Sequence, residues 1–160
     1  MIHLFRSFIF FISLIFKNKF FNVVFYYPQH FNRSNNGENL FFKHLYTACK
    51  KHNLTFLIIE EPDFRAVQKR GAHTTPFDLI YILIVLLRKL QISDIIIGKI
   101  FRKTLMRGLK FNNCIVLSQS MLSFFRGLGN NVNIFDMQHG IIFSHKESYV
   151  YHGKVSSNLE

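Results

Sequence analysis

Residues Asp136-Met137-Gln138-His139-Gly140 carry the clearest chemical signal in the chain. They close an apolar run, 132–136, that reads as a strand, so His139 is expected at the rim of a sheet. An imidazole titrates near neutral pH and can take a proton from an attacking hydroxyl. Gly140 removes a side chain beside it and admits close approach of a ligand. Asp136 or Gln138 could fix the imidazole tautomer. His139 is therefore the candidate general base, with Gln138 and Gly140 as candidate substrate contacts. On spacing alone, an ordinary hydrogen-bonded turn histidine would look the same.

A second candidate is the polar loop after the first apolar strand, with His30, Asn32 and Arg33. A guanidinium there can grip a phosphate or carboxylate through paired hydrogen bonds. A helix opening at 36–39 would add free backbone N–H groups that favour an anion. A solvated surface loop would have the same composition.

Other chemistries lack their signatures. Neither a dinucleotide-binding GxGxxG nor a phosphate-cradling GxxxxGK[ST] pattern occurs. There is no HxxxH, HExxH or carboxylate cluster, so no protein-held metal and no resident cofactor is expected. Ser118 and Ser120 flank Gln119 rather than glycines, which suits helix capping and not a nucleophile elbow. Cys49 and Cys114 are the only cysteines and share no CxxC spacing. Each sits in an apolar context, so both are expected as small buried side chains, compatible with a reducing cytoplasm.

These candidates need a scaffold. Residues 21–27 (FNVVFYY), 54–59 (LTFLII), 114–117 (CIVL) and 132–136 (VNIFD) read as buried strands, with a further strand near 149–151. Helices are expected over about 38–51, 64–70, 76–90, 93–107 and 118–125. Thr75-Pro76-Phe77-Asp78 has the form of a helix start: Thr75 as cap, Pro76 at the first position and Asp78 in the first turn. Continuous apolar strands separated by helices imply an α/β fold, a Rossmann-like parallel sheet with helices on both faces. Ligands of such sheets gather at the carboxyl ends of the strands, where both polar loops fall.

Residues 1–19 form a leading apolar and basic helix, and residues 20–160 the α/β domain. The run 8–16, FIFFISLIF, lies between Arg6 and Lys17 and is shorter than the ~20 residues a bilayer crossing needs. It lacks a small-x-small cleavage site, so it is expected to pack on the domain or to enter a membrane interface. The run 77–87 contains Asp78 and reads as a buried helix.

The composition excludes a disordered chain, since 49% of residues are hydrophobic and 18% charged. The 20 phenylalanines and absence of Trp match the coding bias of an AT-rich genome. The formal net charge is +11. Residues 1–59 carry seven Lys/Arg and one acid, and residues 81–126 carry eight and one. Such an excess suits an anionic partner: a phospholipid surface, a nucleotide or a nucleic acid. Lys99, Arg102, Lys103, Arg107 and Lys110 recur at helical spacing opposite Ile97, Ile100, Phe101, Thr104 and Leu105, as on a helix lying on an anionic membrane. A nucleic-acid partner is not expected, because no RNP-type or helix-turn-helix signature accompanies the charge.

The segments FYYPQHFNR (25–33), FLIIEEPD (56–63), SQSMLSFFR (118–126) and IFDMQHGII (134–142) together resemble bacterial glycosyltransferases of surface-polysaccharide synthesis. The resemblance implies a GT-B fold, two Rossmann-like domains facing a cleft, of which this chain would supply the N-terminal, acceptor-side portion. It implies transfer of a sugar from a nucleotide-sugar co-substrate to a saccharide or lipid-linked acceptor. The Gln-His-Gly element is similar to the His-Gly turn of capsule-type transferases and of teichoic-acid glycerophosphotransferases, which implies a base role for His139. His30 and Arg33 would help hold substrate. One departure is that no second, donor-binding domain precedes Glu160, so the polypeptide alone is expected to be an inactive fragment. A cytoplasmic location, peripheral to the inner membrane face, follows from the same resemblance. The alternative is a non-enzymatic, membrane-peripheral basic α/β domain.

Overall fold

The computed structural model describes residues 2–31, 39–63, 70, 73–117, 119–129 and 131–137, with the strand residues 150–151 and 154–155. The core element is β1 (Lys19–Pro28), whose last six residues are all buried. On one side it pairs with β2 (Phe56–Glu61), which pairs in turn with β3 (Thr75–Pro76). On the other it pairs with β4 (Leu109–Val116), which pairs with β5 (Asn133–Asp136). Every one of these pairings is parallel, and the strand order is β3-β2-β1-β4-β5. This matches the first five strands of the Rossmann-like order 3-2-1-4-5-6. A separate antiparallel pair joins β6 (Val150–Tyr151) to β7 (Lys154–Val155).

Both faces of β1 are covered over Val23–Pro28, which is why that stretch is an unbroken apolar run. Val24 and Tyr26 face one layer: α1 (Ile2–Phe16), α3 (Asp78–Lys89), α4 (Asp94–Lys103) and α5 (Leu122–Leu128). Val23, Phe25 and Tyr27 face the other, built around Phe42 and α2 (Lys43–Lys51). The leading helix is thus part of the fold. Its Phe11 and Leu14 are fully buried, and Phe11 meets Phe77 edge-on at 5.8 Å between ring centres. Cys49 and Cys114 are free and buried, as the apolar contexts suggested.

Several local expectations give way to tertiary structure. Thr75 and Pro76 do not start a helix. They pair with Ile59 and Glu60 as a short outer strand, and α3 begins only at Asp78. A residue before proline is biased toward the extended region, and proline is tolerated on a sheet edge. α2 begins at Lys43 rather than 38, because the Asn39 carboxamide oxygen accepts the Phe42 N–H at 3.1 Å and sets a turn first. Asn39 is not part of the helix, and residues 36–38 of the anion site expected there lie outside the described residues. β4 starts at Leu109, five residues before the apolar CIVL run. Its first half pairs only with β1, and its burial alternates there, so its sequence lacks an apolar run. The helix expected over 118–125 is a 3-10 turn at Gln119–Met121 followed by α5. The short helix expected at 64–70 lies almost wholly outside the described residues.

The basic helix is also shorter than expected. α4 ends at Lys103, and residues 104–108 form turns. Arg107 stands in those turns, its Nε donating to the Ile15 carbonyl at 2.7 Å, and Lys110 is on β4. Gly108 is required here, since a Cβ would collide with the Leu14 carbonyl at the end of α1. Lys99, Arg102 and Lys103 alone of the five cations share α4, and Ile100 is exposed among them.

Candidate functional site at the carboxyl edge of the sheet

The strand order reverses between β1 and β4, and the carboxyl ends of β1, β2, β4 and β5 define the edge where α/β sheets hold ligands. β1 ends at Pro28 and runs into a 3-10 turn, Gln29–Phe31. His30 sits in that turn, exposed, with its ring 4.4 Å from the Phe31 ring. β5 ends at Asp136, and the next N–H, of Met137, donates to the Val116 carbonyl at 2.7 Å. The backbone is therefore held to the sheet up to the residue before Gln138. Gln138, His139, Gly140, Asn32 and Arg33 themselves lie outside the described residues. β4 separates β1 from β5, so the strand leading to His30 and the strand leading to His139 lie about 10 Å apart.

The described part of this edge holds a polar network that sequence reasoning missed. Gln29 is buried, and its side-chain oxygen accepts from the Asp63 N–H at 3.2 Å and from Arg70 Nε at 3.3 Å. Arg70 then donates Nη1 to Asp78 Oδ2 at 2.6 Å and Nη2 to Asp78 Oδ1 at 3.1 Å. One guanidinium thus ties the end of β1 to the start of α3. Asp78, expected in the first turn of a helix, is held there by this two-pronged ion pair. His3, at the start of α1, faces the same pair, and burial together with Arg70 lowers its pKa.

Two neighbouring acids at the end of β2 point to opposite faces. Glu60 lies on the α2 side, where its Oε2 accepts from the Tyr27 hydroxyl at 3.4 Å; burial and this carboxylate push the phenol up. Glu61 lies on the α3 side, in register with Pro28. Burial pushes its carboxyl up to about 7, against the lowering effects of a hydrogen bond with Tyr81 and the charge of Arg88, and Asp63 raises it further. Its Oε2 is buried and unpartnered. A carboxyl with that pKa exchanges a proton near neutrality. Arg88 is anchored beyond it, donating Nε and Nη2 to Asp94 at 2.8 and 2.7 Å and Nη2 to the Ser120 carbonyl at 3.0 Å. In the sequence Glu60-Glu61 directly follows the apolar run 54–59. The available signal was two acids continuing an apolar run in which alternate residues face opposite layers.

No family model, no curated protein and no solved structure matches the chain. Its reading rests on its own residues. Among the described residues no group of three His, Cys, Asp or Glu could hold a metal ion, and no helix is long and apolar enough to cross a membrane.

Proposed function

We propose that the chain is the acceptor-side domain of a GT-B-type glycosyltransferase of surface-polysaccharide synthesis, with His139 as general base. The observation that carries this reading is that Gln138-His139-Gly140 continues the chain directly from the carboxyl end of β5 in an all-parallel sheet of Rossmann-like order. In that role His139 accepts the proton of the acceptor hydroxyl as its oxygen attacks the sugar carbon and the nucleoside diphosphate departs. His30, Asn32, Arg33, Gln138 and Gly140 contact substrate. The donor is a nucleotide-sugar, the acceptor a saccharide or a lipid-linked saccharide, and the work site is the inner face of the cell membrane.

Acceptor binding tests the reading on the chain itself. With histidines labelled at Cε1, titration with short saccharides and lipid-linked saccharides should shift the His139 resonance saturably. His52, exposed at the end of α2, should stay still. Shifts confined to histidines other than His139, or none with any acceptor, would refute the assignment.

A further inference from the structure

The layer of helices on the Val24/Tyr26 face of the sheet has an unusual exterior. α1 buries Ser7, Phe11 and Leu14 and exposes Ile2 (74%), Phe5 (64%), Phe8 (48%), Ile9 (52%) and Phe16 (78%). A helix that is apolar all round belongs in a covered position. The pattern continues on the two neighbours in this layer. Ile82 and Leu86 are exposed on α3, with Leu90 just beyond it, and Ile95, Ile96 and Ile100 on α4. α2, on the opposite face, exposes Lys43, His44, Thr47, Lys50 and Lys51, as an ordinary surface helix does. The apolar exposure is concentrated on this layer; elsewhere among the described residues only Phe20, Leu40, Leu54 and Phe135 are exposed large apolar side chains.

Charge identifies what covers it. The acids of these three helices, Asp78 and Asp94, are neutralised by Arg70 and Arg88. Arg6, Lys17, Lys89, Lys99 and Lys103 stand exposed on or beside the same helices. A groove of about 420 Å³ adjoins α1, lined by Arg6, Ser13, Lys19 and Thr75 among apolar side chains. Phenylalanines and isoleucines interspersed with unneutralised cations suit the interface of an anionic bilayer, with rings at the acyl boundary and cations at phosphates. An apolar protein surface would leave those cations desolvated.

We infer that the outer face of α1, α3 and α4 docks on an anionic phospholipid surface, with Phe5 and Phe8 entering the interface. This deepens the proposed function by naming where a lipid-linked acceptor would be met, and it rests on that reading for this role alone. Vesicle binding needs no sugar transfer, so the two fail separately.

The chain contains no Trp, so a single Trp reports its own surroundings without background. Phe8→Trp should show blue-shifted emission with phosphatidylglycerol/phosphatidylcholine vesicles and quenching by brominated acyl chains. Leu54→Trp, exposed in the loop between α2 and β2, should show neither. In flotation, Phe5→Glu/Phe8→Glu should weaken partitioning about 100-fold, roughly tenfold for each ring lost from the interface. Lys50→Glu/Lys51→Glu removes more positive charge from the opposite face and should weaken it far less. Circular dichroism confirms that each variant is folded. Absence of binding to anionic vesicles overturns the inference. So does an equal or greater loss in the Lys50/Lys51 variant, which would mean undirected charge attraction. A blue-shifted Phe8→Trp in a dimer without vesicles also overturns it, because a second copy would then be the cover.

Discussion

Arg70 grips Asp78 through both terminal guanidinium nitrogens, with side chains only 9% and 10% exposed. A carboxylate held this way cannot lose its partner cheaply. Arg70→Met should destabilise the fold by about 3 kcal/mol, because it strands Asp78 as a buried charge. Arg70→Met/Asp78→Leu should recover much of that loss. Urea unfolding midpoints of the three proteins check the order.

Glu61 makes stability depend on pH. Its folded pKa of about 7 lies above the ordinary value of 4.5, so the folded state binds more protons between the two. The favourable contribution is complete below pH 4.5 and is lost as pH rises through about 7. The linkage is worth up to ~3 kcal/mol. Glu61→Gln should flatten the stability profile between pH 5 and 7 and be more stable than the parent at pH 8. Denaturant titrations at the two ends of that window measure it.

α4 and α5 meet backbone to backbone. A Cβ on Gly98 would collide with the Phe124 carbonyl, and one on Gly127 with the Ile95 carbonyl. Neither obstacle is a movable side-chain tip. Gly98→Ala should therefore cost about 2–3 kcal/mol despite the better helix propensity of alanine. A fall in thermal midpoint, absent in Thr47→Ala on exposed α2, would show that contact rather than propensity decides.

Cys114 is fully buried between β1 and β5, and burial raises its thiol well above the usual range. Cys49 is nearly buried and raised for the same reason. Both thiols should resist a disulfide reagent at pH 8 in the native protein and react stoichiometrically in urea. Fast native labelling of Cys114 would contradict the strand order.

What could be read without coordinates follows from how local each signal is. The β1 run FNVVFYY and the alternation of strands with helices announced a parallel sheet, because a strand covered on both faces needs no alternation. Leu109–Asn113 stayed hidden, since half of that strand has one neighbour and carries Lys110, Asn112 and Asn113. Asn113 joins a ladder at the amino ends of the strands. Asn22 takes the Thr55 N–H at 2.8 Å, Asn113 donates to the Asn22 carbonyl at 3.1 Å, and Asn133 donates to Asn113 at 3.2 Å. No window of sequence contains such partners. The Gln29–Arg70–Asp78 network was illegible for the same reason, as Gln29 and Arg70 are 41 residues apart. His139 was legible as chemistry, since a histidine beside a glycine after a strand is a local pattern.

The most direct measurement is incorporation of labelled sugar from nucleotide-sugar donors into surface polysaccharide, in native cells whose gene carries His139→Ala. If His139 removes the acceptor proton, incorporation falls about 100-fold or more while the protein remains folded and abundant. Undiminished incorporation would contradict the assignment of His139 as the base.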